Sequence, residues 1–457
     1  MASSSNATLS PGDWAAPFAG HLTGGSATVE IPGSKSLTNR YLLLAAITDS
    51  PSIIHAPLRS RDTSLMIQAI EALGAKVEHL TDSSTSDIRV HPINFEQSVE
   101  ENRSIDVGLA GNVMRFIPPV AALLPGTTRF FGDEYASHRP MQPVIRALRD
   151  LGVKVEAQND QLPFTILPPE KFVADEVTID ASGSSQFLSA LLLASAKYPR
   201  GLTVRHQGSA IPSMPHIEMT LEVMREVGIS VDTAEPYTWH VPATRFPGFE
   251  ITVEPDLSNA GPFLVSAIAL GTSVSIPRWP QHTTQGGDMW KKILPLFGAT
   301  VELNNDVLTV HENPAHRDSG FAGIDLDLSE AGELAPTVAA LCALANSPSR
   351  LRGIAHLRGH ETNRLEALVH EINAMDGVAQ ETDDGIEILK PVQNATHFKT
   401  YADHRMATAG AVIGLRIKGT VIENIATTSK TLPDFPTMWK DMLDQFETPE
   451  RGQSLGA

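Results

Sequence analysis

Internal repetition constrains this chain more than any other feature. A helix-like stretch, a glycine and an alternating strand recur as Leu73-Gly74-Ala75-Lys76-Val77-Glu78, Leu151-Gly152-Val153-Lys154-Val155-Glu156, Val227-Gly228-Ile229-Ser230-Val231-Asp232 and Phe297-Gly298-Ala299-Thr300-Val301-Glu302, and more weakly at Asp376-Gly377-Val378. The glycines stand 78, 76, 70 and 79 residues apart. Glycine takes the left-handed turn that ends a helix, and the alternation behind it reads as a half-buried strand. A second pattern keeps the same period out of phase: a small polar loop, then an apolar, alanine-rich helix. Its six copies begin near Gly33, Gly108, Asp180, Asp256, Gly332 and Ala402. One Leu-Gly-x-x-Val match is commonplace in α/β proteins, but five in near-constant register, interleaved with six of another kind, are not chance. Six units of about 76 residues account for the chain, each with two helices and several strands. The second set of helices is apolar nearly all round and is expected inside. Each is expected to start on residues that suit an N-cap, and six converging N-termini would make an anion site.

Charge sharpens that expectation. Of 457 residues, 35 are Lys or Arg and 53 are Asp or Glu, a formal charge of −18. Such an excess of acid argues against a protein that coats nucleic acid or binds an anionic membrane, yet leaves room for a local basic pocket. Cys342 is the single cysteine, so neither an intrachain disulfide nor a thiolate metal cluster is available. Apolar runs such as Tyr41-Leu-Leu-Leu-Ala-Ala-Ile47 are too short to span a membrane. Met1–Gly20 lacks the charges of a secretory or organellar leader. The chain reads as soluble and cytoplasmic.

Residues able to do chemistry collect in the loops ahead of the apolar helices. Pro32-Gly33-Ser34-Lys35-Ser36-Leu37-Thr38-Asn39-Arg40 places two cations and several hydroxyl or amide groups within one turn and the start of a helix, without the spacing of a nucleotide P-loop. Gly111, Arg115 and Arg139 follow; Ser184-Ser185-Gln186 is a run of short donors suited to a phosphate or diol. Glu333 opens an apolar helix, and His360, Glu361 and Arg364 stand close together in Leu357–Arg364. His404 and Arg405 begin the last such helix, and Lys430 lies in Ser429-Lys-Thr-Leu-Pro-Asp434. His404 and His360 have no metal-motif partners, so they read as hydrogen-bonding groups, with no metal expected. Neither Gly-x-Ser-x-Gly nor a strand followed by Gly-x-Gly-x-x-Gly occurs, which disfavours a hydrolase elbow and a dinucleotide fold.

Taken in order, PGSKSLTNR, LAGNVMR, the RPM at Arg139, SSQF at Ser184, GHETNR, ADHRM and SKTLPDF resemble the 5-enolpyruvylshikimate-3-phosphate (EPSP) synthase family over Pro32–Phe435, most of all its actinobacterial branch. The resemblance implies an α/β fold: a two-domain inside-out α/β barrel of six βαβαββ repeats, three per domain, with the active site in the interdomain cleft. Residues 1–33 and 256–457 would form a discontinuous domain on the phosphoenolpyruvate side, carrying the catalytic carboxylates. Residues 34–255 would form a continuous domain on the shikimate-3-phosphate side. The implied reaction moves the enolpyruvyl group of phosphoenolpyruvate to the 5-hydroxyl of shikimate-3-phosphate and releases phosphate, with no metal or organic cofactor, as a step of chorismate and aromatic amino acid biosynthesis.

By the same resemblance Glu333 is the base for the hydroxyl, Glu361 protonates the methylene carbon, and Lys35 shares acid duty. Lys35, Ser36, Arg40, Ser184, Ser185, Gln186, Ser213, Glu333 and His360 match the shikimate-3-phosphate side; Lys35, Gly111, Arg115, Arg139, Gln186, Arg364, Arg405 and Lys430 match phosphoenolpyruvate positions. The partners implied are these two small molecules, with no nucleic acid and no membrane, and the chain is expected to act as a monomer. Several residues depart from the family pattern: Glu333 where most members have Asp, His360 for Lys, Leu109 and Asn112 in the usual Asn-Ala-Gly-Thr, Phe116 for Pro, and His216 for Tyr. Two rivals stand beside this reading. The sister enolpyruvyl transferase acting on UDP-N-acetylglucosamine usually has Asn after the first-loop Lys, where Ser36 stands here, and a reactive loop Cys or Asp, whereas Cys342 lies within an apolar helix. A non-catalytic anion-binding homologue would account for the changes at Glu333 and His360.

Overall fold

The structure is a computed structural model describing residues 10–22, 24–80, 87–95, 102–315 and 320–447. The tail beyond Glu447 and residues 1–9 of the N-terminal stretch lie outside the described residues. The chain divides into two compact units. One comprises residues 1–31, 257–281 and 287–457; the other comprises residues 32–256 together with the short segment 282–286.

Each unit contains three mixed sheets, and one ladder recurs. In the continuous unit Asn102–Asp106 runs parallel to Thr127–Phe131, which pairs antiparallel with Phe164–Leu167, itself antiparallel to Lys154–Ala157. The same order joins Glu250–Thr252, Ser52–His55, Ile88–His91 and Lys76–His79. Glu176–Ile179, Leu202–His206 and Thr238–Val241 make a three-stranded version. In the other unit the series are Ser26–Thr28, Ser273–Pro277, Val307–His311, Thr300–Asn304 and Asp325–Asp327, Ser349–Arg352, Ile386–Lys390, Val378–Glu381. The third sheet there is His397–Phe398, Val421–Ile422 and Trp14–Ala15, so the N-terminal stretch outside the family motifs supplies an edge strand. A parallel pair needs a crossover, and in four of the six sheets a single apolar helix provides it; the pairs Ser26–Thr28 with Ser273–Pro277 and Ser52–His55 with Glu250–Thr252 are instead closed by strands distant in sequence. No sheet closes on itself among the described residues.

The apolar helices lie in the two cores. All eleven residues of Gly111–Ala121 and of His404–Gly414, and all ten of Gly261–Leu270, are buried. Lys35–Ala46, Ser185–Ser195 and Ala335–Cys342 are nearly or wholly so. Arg61–Ala72 is amphipathic instead: it buries Leu65, Met66, Ala69 and Ile70 and exposes residues of its other face.

Two expectations change in detail. From the sequence, all six buried helices start on capping residues. Three do: Ser34 accepts from the N–H of Leu37, Ser184 from Gln186 and Asp403 from Arg405. The other three are preceded by Ala110, Ala260 and Leu334, without a side-chain cap. Two of those carry Pro262 or Pro336 in the first turn, which removes an amide that a cap would serve. The helix-ending glycines at 74, 152, 228 and 298 have φ between 83° and 104°, but at the fifth site the left-handed residue is Asp376, with φ 58°. Gly377 is required for another reason. A Cβ there would lie 2.8 Å from Ile372 Cγ2 and 2.9 Å from the Ile372 carbonyl oxygen.

Candidate active site

In the unit built on residues 32–256 the helix starts bring basic residues together. Lys35 opens its helix with its N–H donated to Asp256 Oδ2 at 3.2 Å and its ammonium 3.7 Å from Asp62 Oδ2. One turn on, Arg40 is 2% exposed. Its Nη1 donates to the Ser36 carbonyl at 3.0 Å, its Nε to Thr220 Oγ1 at 2.9 Å and its Nη2 to the His216 carbonyl at 3.0 Å. The Arg40 guanidinium carbon stands over the Phe116 ring, 5.4 Å from its centre. Arg115, on the neighbouring helix, donates to Gln186 Oε1 at 2.6 Å and stands over Phe187 at 5.1 Å. Ser184 caps the helix that Ser185 begins and on which Gln186 lies. Arg139 donates to the Leu109 carbonyl at 3.0 Å. Gly111 makes that approach possible, because a Cβ at that position would sit 2.9 Å from Arg139 Nη2 and 3.1 Å from Gln186 Oε1. Ser213 precedes Met214–Glu226 in the left-handed region, φ 54° and ψ 53°. A non-glycine residue held there is strained, a conformation common at ligand sites.

In the discontinuous unit the remaining residues form one ion-pair network. Glu361 accepts from Lys430 Nζ at 2.7 Å on one oxygen and from Arg364 Nη2 at 3.0 Å on the other. Arg364 also donates to Asp403 through Nε at 2.7 Å and Nη2 at 3.2 Å. Asp403 in turn caps the next helix by accepting from the Arg405 N–H at 2.8 Å, and Arg405 Nη2 reaches Glu333 Oε2 at 3.1 Å. Burial works against the charge on Arg364, but the fields of Asp403 and Glu361 outweigh it and raise its pKa above the usual value. His360 Nδ1 lies 3.1 Å from Arg364 Nη1. A guanidinium only donates, so Nδ1 accepts and carries no proton. Burial, and then the positive charge of Arg364, push the pKa of His360 well below 6.5. The imidazole therefore adds no cation where the family pattern has a lysine.

Chemically, the two clusters supply cations for carboxylate and phosphate groups, and two carboxylates, Glu333 and Glu361, for proton transfer. Both carboxylates already accept from a cation. Glu361 is held on both oxygens, by Lys430 and by Arg364. Of the positions matched to phosphoenolpyruvate, Arg364, Arg405 and Lys430 belong to one unit and Lys35, Gly111, Arg115, Arg139 and Gln186 to the other. Among the described residues, no three His, Cys, Asp or Glu side chains are grouped to hold a metal ion. Nor is any helix there long and apolar enough to cross a membrane.

Sequence reasoning overlooks several participants. Asp403, fully buried, joins Arg364 to Arg405; its signal is an N-cap aspartate directly ahead of His404 and Arg405. Asp256 accepts from the Lys35 N–H across 221 residues and Thr220 from Arg40 across 180, so no local pattern reveals them, and Asp62, beside the Lys35 ammonium, lies on the next helix.

This arrangement is that of an enolpyruvyl-transferase fold, for the structure superposes on EPSP synthase from Acinetobacter baumannii with a TM-score of 0.75 at 21% identity, covering 93% of this chain and 97% of the other. The enolpyruvyl transferase NikO from Streptomyces tendae gives 0.71 at 16% identity, over 93% and 96% of the two chains. At such identities the likeness establishes the fold alone. The family profile of EPSP synthase (3-phosphoshikimate 1-carboxyvinyltransferase) matches residues 23–439. The 3-phosphoshikimate 1-carboxyvinyltransferase of Kocuria rhizophila is 53% identical over 434 residues, 94% of this chain and 96% of that protein. The chain belongs to the EPSP synthase family.

Proposed function

We propose that this protein transfers the enolpyruvyl group of phosphoenolpyruvate to the 5-hydroxyl of shikimate-3-phosphate and releases phosphate, on the route to chorismate and the aromatic amino acids. The observation that carries this is the gathering of the motif cations into two clusters inside a chain of net charge −18. Two anionic substrates require such clusters, and family membership supplies the reaction class.

Glu333 takes the proton of the 5-hydroxyl as the oxygen attacks the central carbon of phosphoenolpyruvate. Glu361, with Lys35 sharing the duty, protonates the methylene carbon. The tetrahedral adduct then loses phosphate and a proton to restore the enol ether. Ser36, Arg40, Ser184, Ser185, Ser213 and His360 serve shikimate-3-phosphate; Gly111, Arg115, Arg139, Gln186, Arg364, Arg405 and Lys430 serve phosphoenolpyruvate. The six mixed sheets with their buried apolar helices support an inside-out α/β barrel of six repeats, three in each unit. The reading includes a cytoplasmic monomer that works without a metal or organic cofactor and without nucleic acid or a membrane as partner.

Phosphate release separates the alternatives. Release with phosphoenolpyruvate and shikimate-3-phosphate supports the proposal. Release only when UDP-N-acetylglucosamine is the acceptor assigns the chain to the sister reaction, and no release with either leaves an anion-binding homologue.

A further inference from the structure

We propose that Phe116 is a positioning residue for Arg40, its ring face setting the guanidinium that grips shikimate-3-phosphate. The inference rests on the reading above, in which Arg40 binds that substrate. The Arg40 guanidinium is almost sealed from water, at 2% exposure, and Phe116 is fully buried. The hydrogen bonds to Thr220, the Ser36 carbonyl and the His216 carbonyl fix the planar group along its edges, and all three go to neutral oxygens. Those bonds hold the rim of the group; the Phe116 ring, with its centre 5.4 Å from the guanidinium carbon, covers one face and supports the group there.

Electrostatics favours an aromatic face at this place. Arg40 stands near the positive start of a buried helix, one turn from Lys35. The ring quadrupole turns a negative face toward this desolvated guanidinium and brings no formal charge beside an anionic ligand. The arrangement occurs twice: Arg115, the residue directly before Phe116, rides on Phe187 at 5.1 Å. Phe116 is also one of the places where this sequence departs from the family pattern.

The test keeps the shape of the ring and withdraws its negative face. In the full-length protein, Phe116 is replaced by mono-, di- and trifluorophenylalanine, with Phe116→Leu as a cruder companion. Shikimate-3-phosphate affinity is read by calorimetry, along with the KM for phosphoenolpyruvate and the melting temperature. The expected result is a stepwise loss of shikimate-3-phosphate affinity reaching roughly threefold to tenfold, with the melting temperature and the phosphoenolpyruvate KM nearly unmoved. The same series at Phe187 should shift the phosphoenolpyruvate KM instead. A flat affinity across the Phe116 series overturns the proposal, as does a loss that follows melting temperature or one matched in full by fluorination at Phe187. If the unsubstituted protein fails to bind shikimate-3-phosphate, the reading beneath the proposal falls, and the proposal falls with it.

Discussion

Replacing Asp403 with alanine should be among the most damaging single changes in the discontinuous unit. The Asp403 side chain is 0% exposed and that of Arg364 is 2% exposed, with 2.7 Å between Arg364 Nε and Asp403 Oδ2. Removing one partner of such a pair leaves a buried charge short of compensation, which costs about 3–5 kcal/mol. Arg364 keeps Glu361 at 3.0 Å and His360 at 3.1 Å, which argues for the lower end of that range. Loss of the cap on the Arg405 N–H adds about 1 kcal/mol. The expected destabilisation is therefore about 4 kcal/mol, measured by urea unfolding at neutral pH. Combining Asp403→Ala with Arg364→Met removes the stranded charge, so the double variant should recover roughly 2 kcal/mol relative to the single one. A single-variant loss below about 1 kcal/mol, or strict additivity in the double, would refute the view that these groups stabilise one another as a pair.

Three other outcomes follow from the same structure. Glu333→Ala and Glu361→Ala should each abolish phosphate release while shikimate-3-phosphate affinity stays within about tenfold, or roughly 1.4 kcal/mol; full turnover in either removes that residue from the mechanism. His360 has a lowered pKa in the fold, so below about pH 6.5 the unfolded chain binds a proton that the native protein does not. Stability should therefore fall as the pH drops through that value, and His360→Gln should flatten the fall; parallel urea midpoints for the two proteins at pH 7 and pH 5.5 would contradict this. Burial pushes the thiol of Cys342 up to about 12, so the native protein should resist alkylation at neutral pH and react fully once unfolded, as mass spectrometry can show.

Much of this was legible because it is local. An apolar stretch such as Gly261–Leu270 cannot be a surface helix, and its burial follows from composition alone. The loop cations could be picked out because each stands beside small polar residues at a helix start. What stayed hidden depends on partners distant in sequence. Arg364 meets Asp403 39 residues away, Arg405 meets Glu333 72 away, and Arg40 meets Thr220 180 away. No periodicity encodes which loop will face which. Nor does composition show that residues 282–286 join the opposite unit, where Thr283 and Gln285 both donate to the Glu254 carboxylate. At the end of the helix Arg364–Ala374 the left-handed residue is Asp376, one position ahead of the glycine, because Gly377 answers a packing demand from Ile372 instead.

Arg364, Arg405 and Lys430 are engaged by carboxylates before any ligand arrives. An incoming anion does not meet bare charge there; it exchanges with a resident one. Its net gain is the difference between two similar attractions, which makes for modest grip and ready departure. The resident carboxylates act as placeholders, so the buried guanidinium and ammonium groups of this unit are never left without a counter-charge.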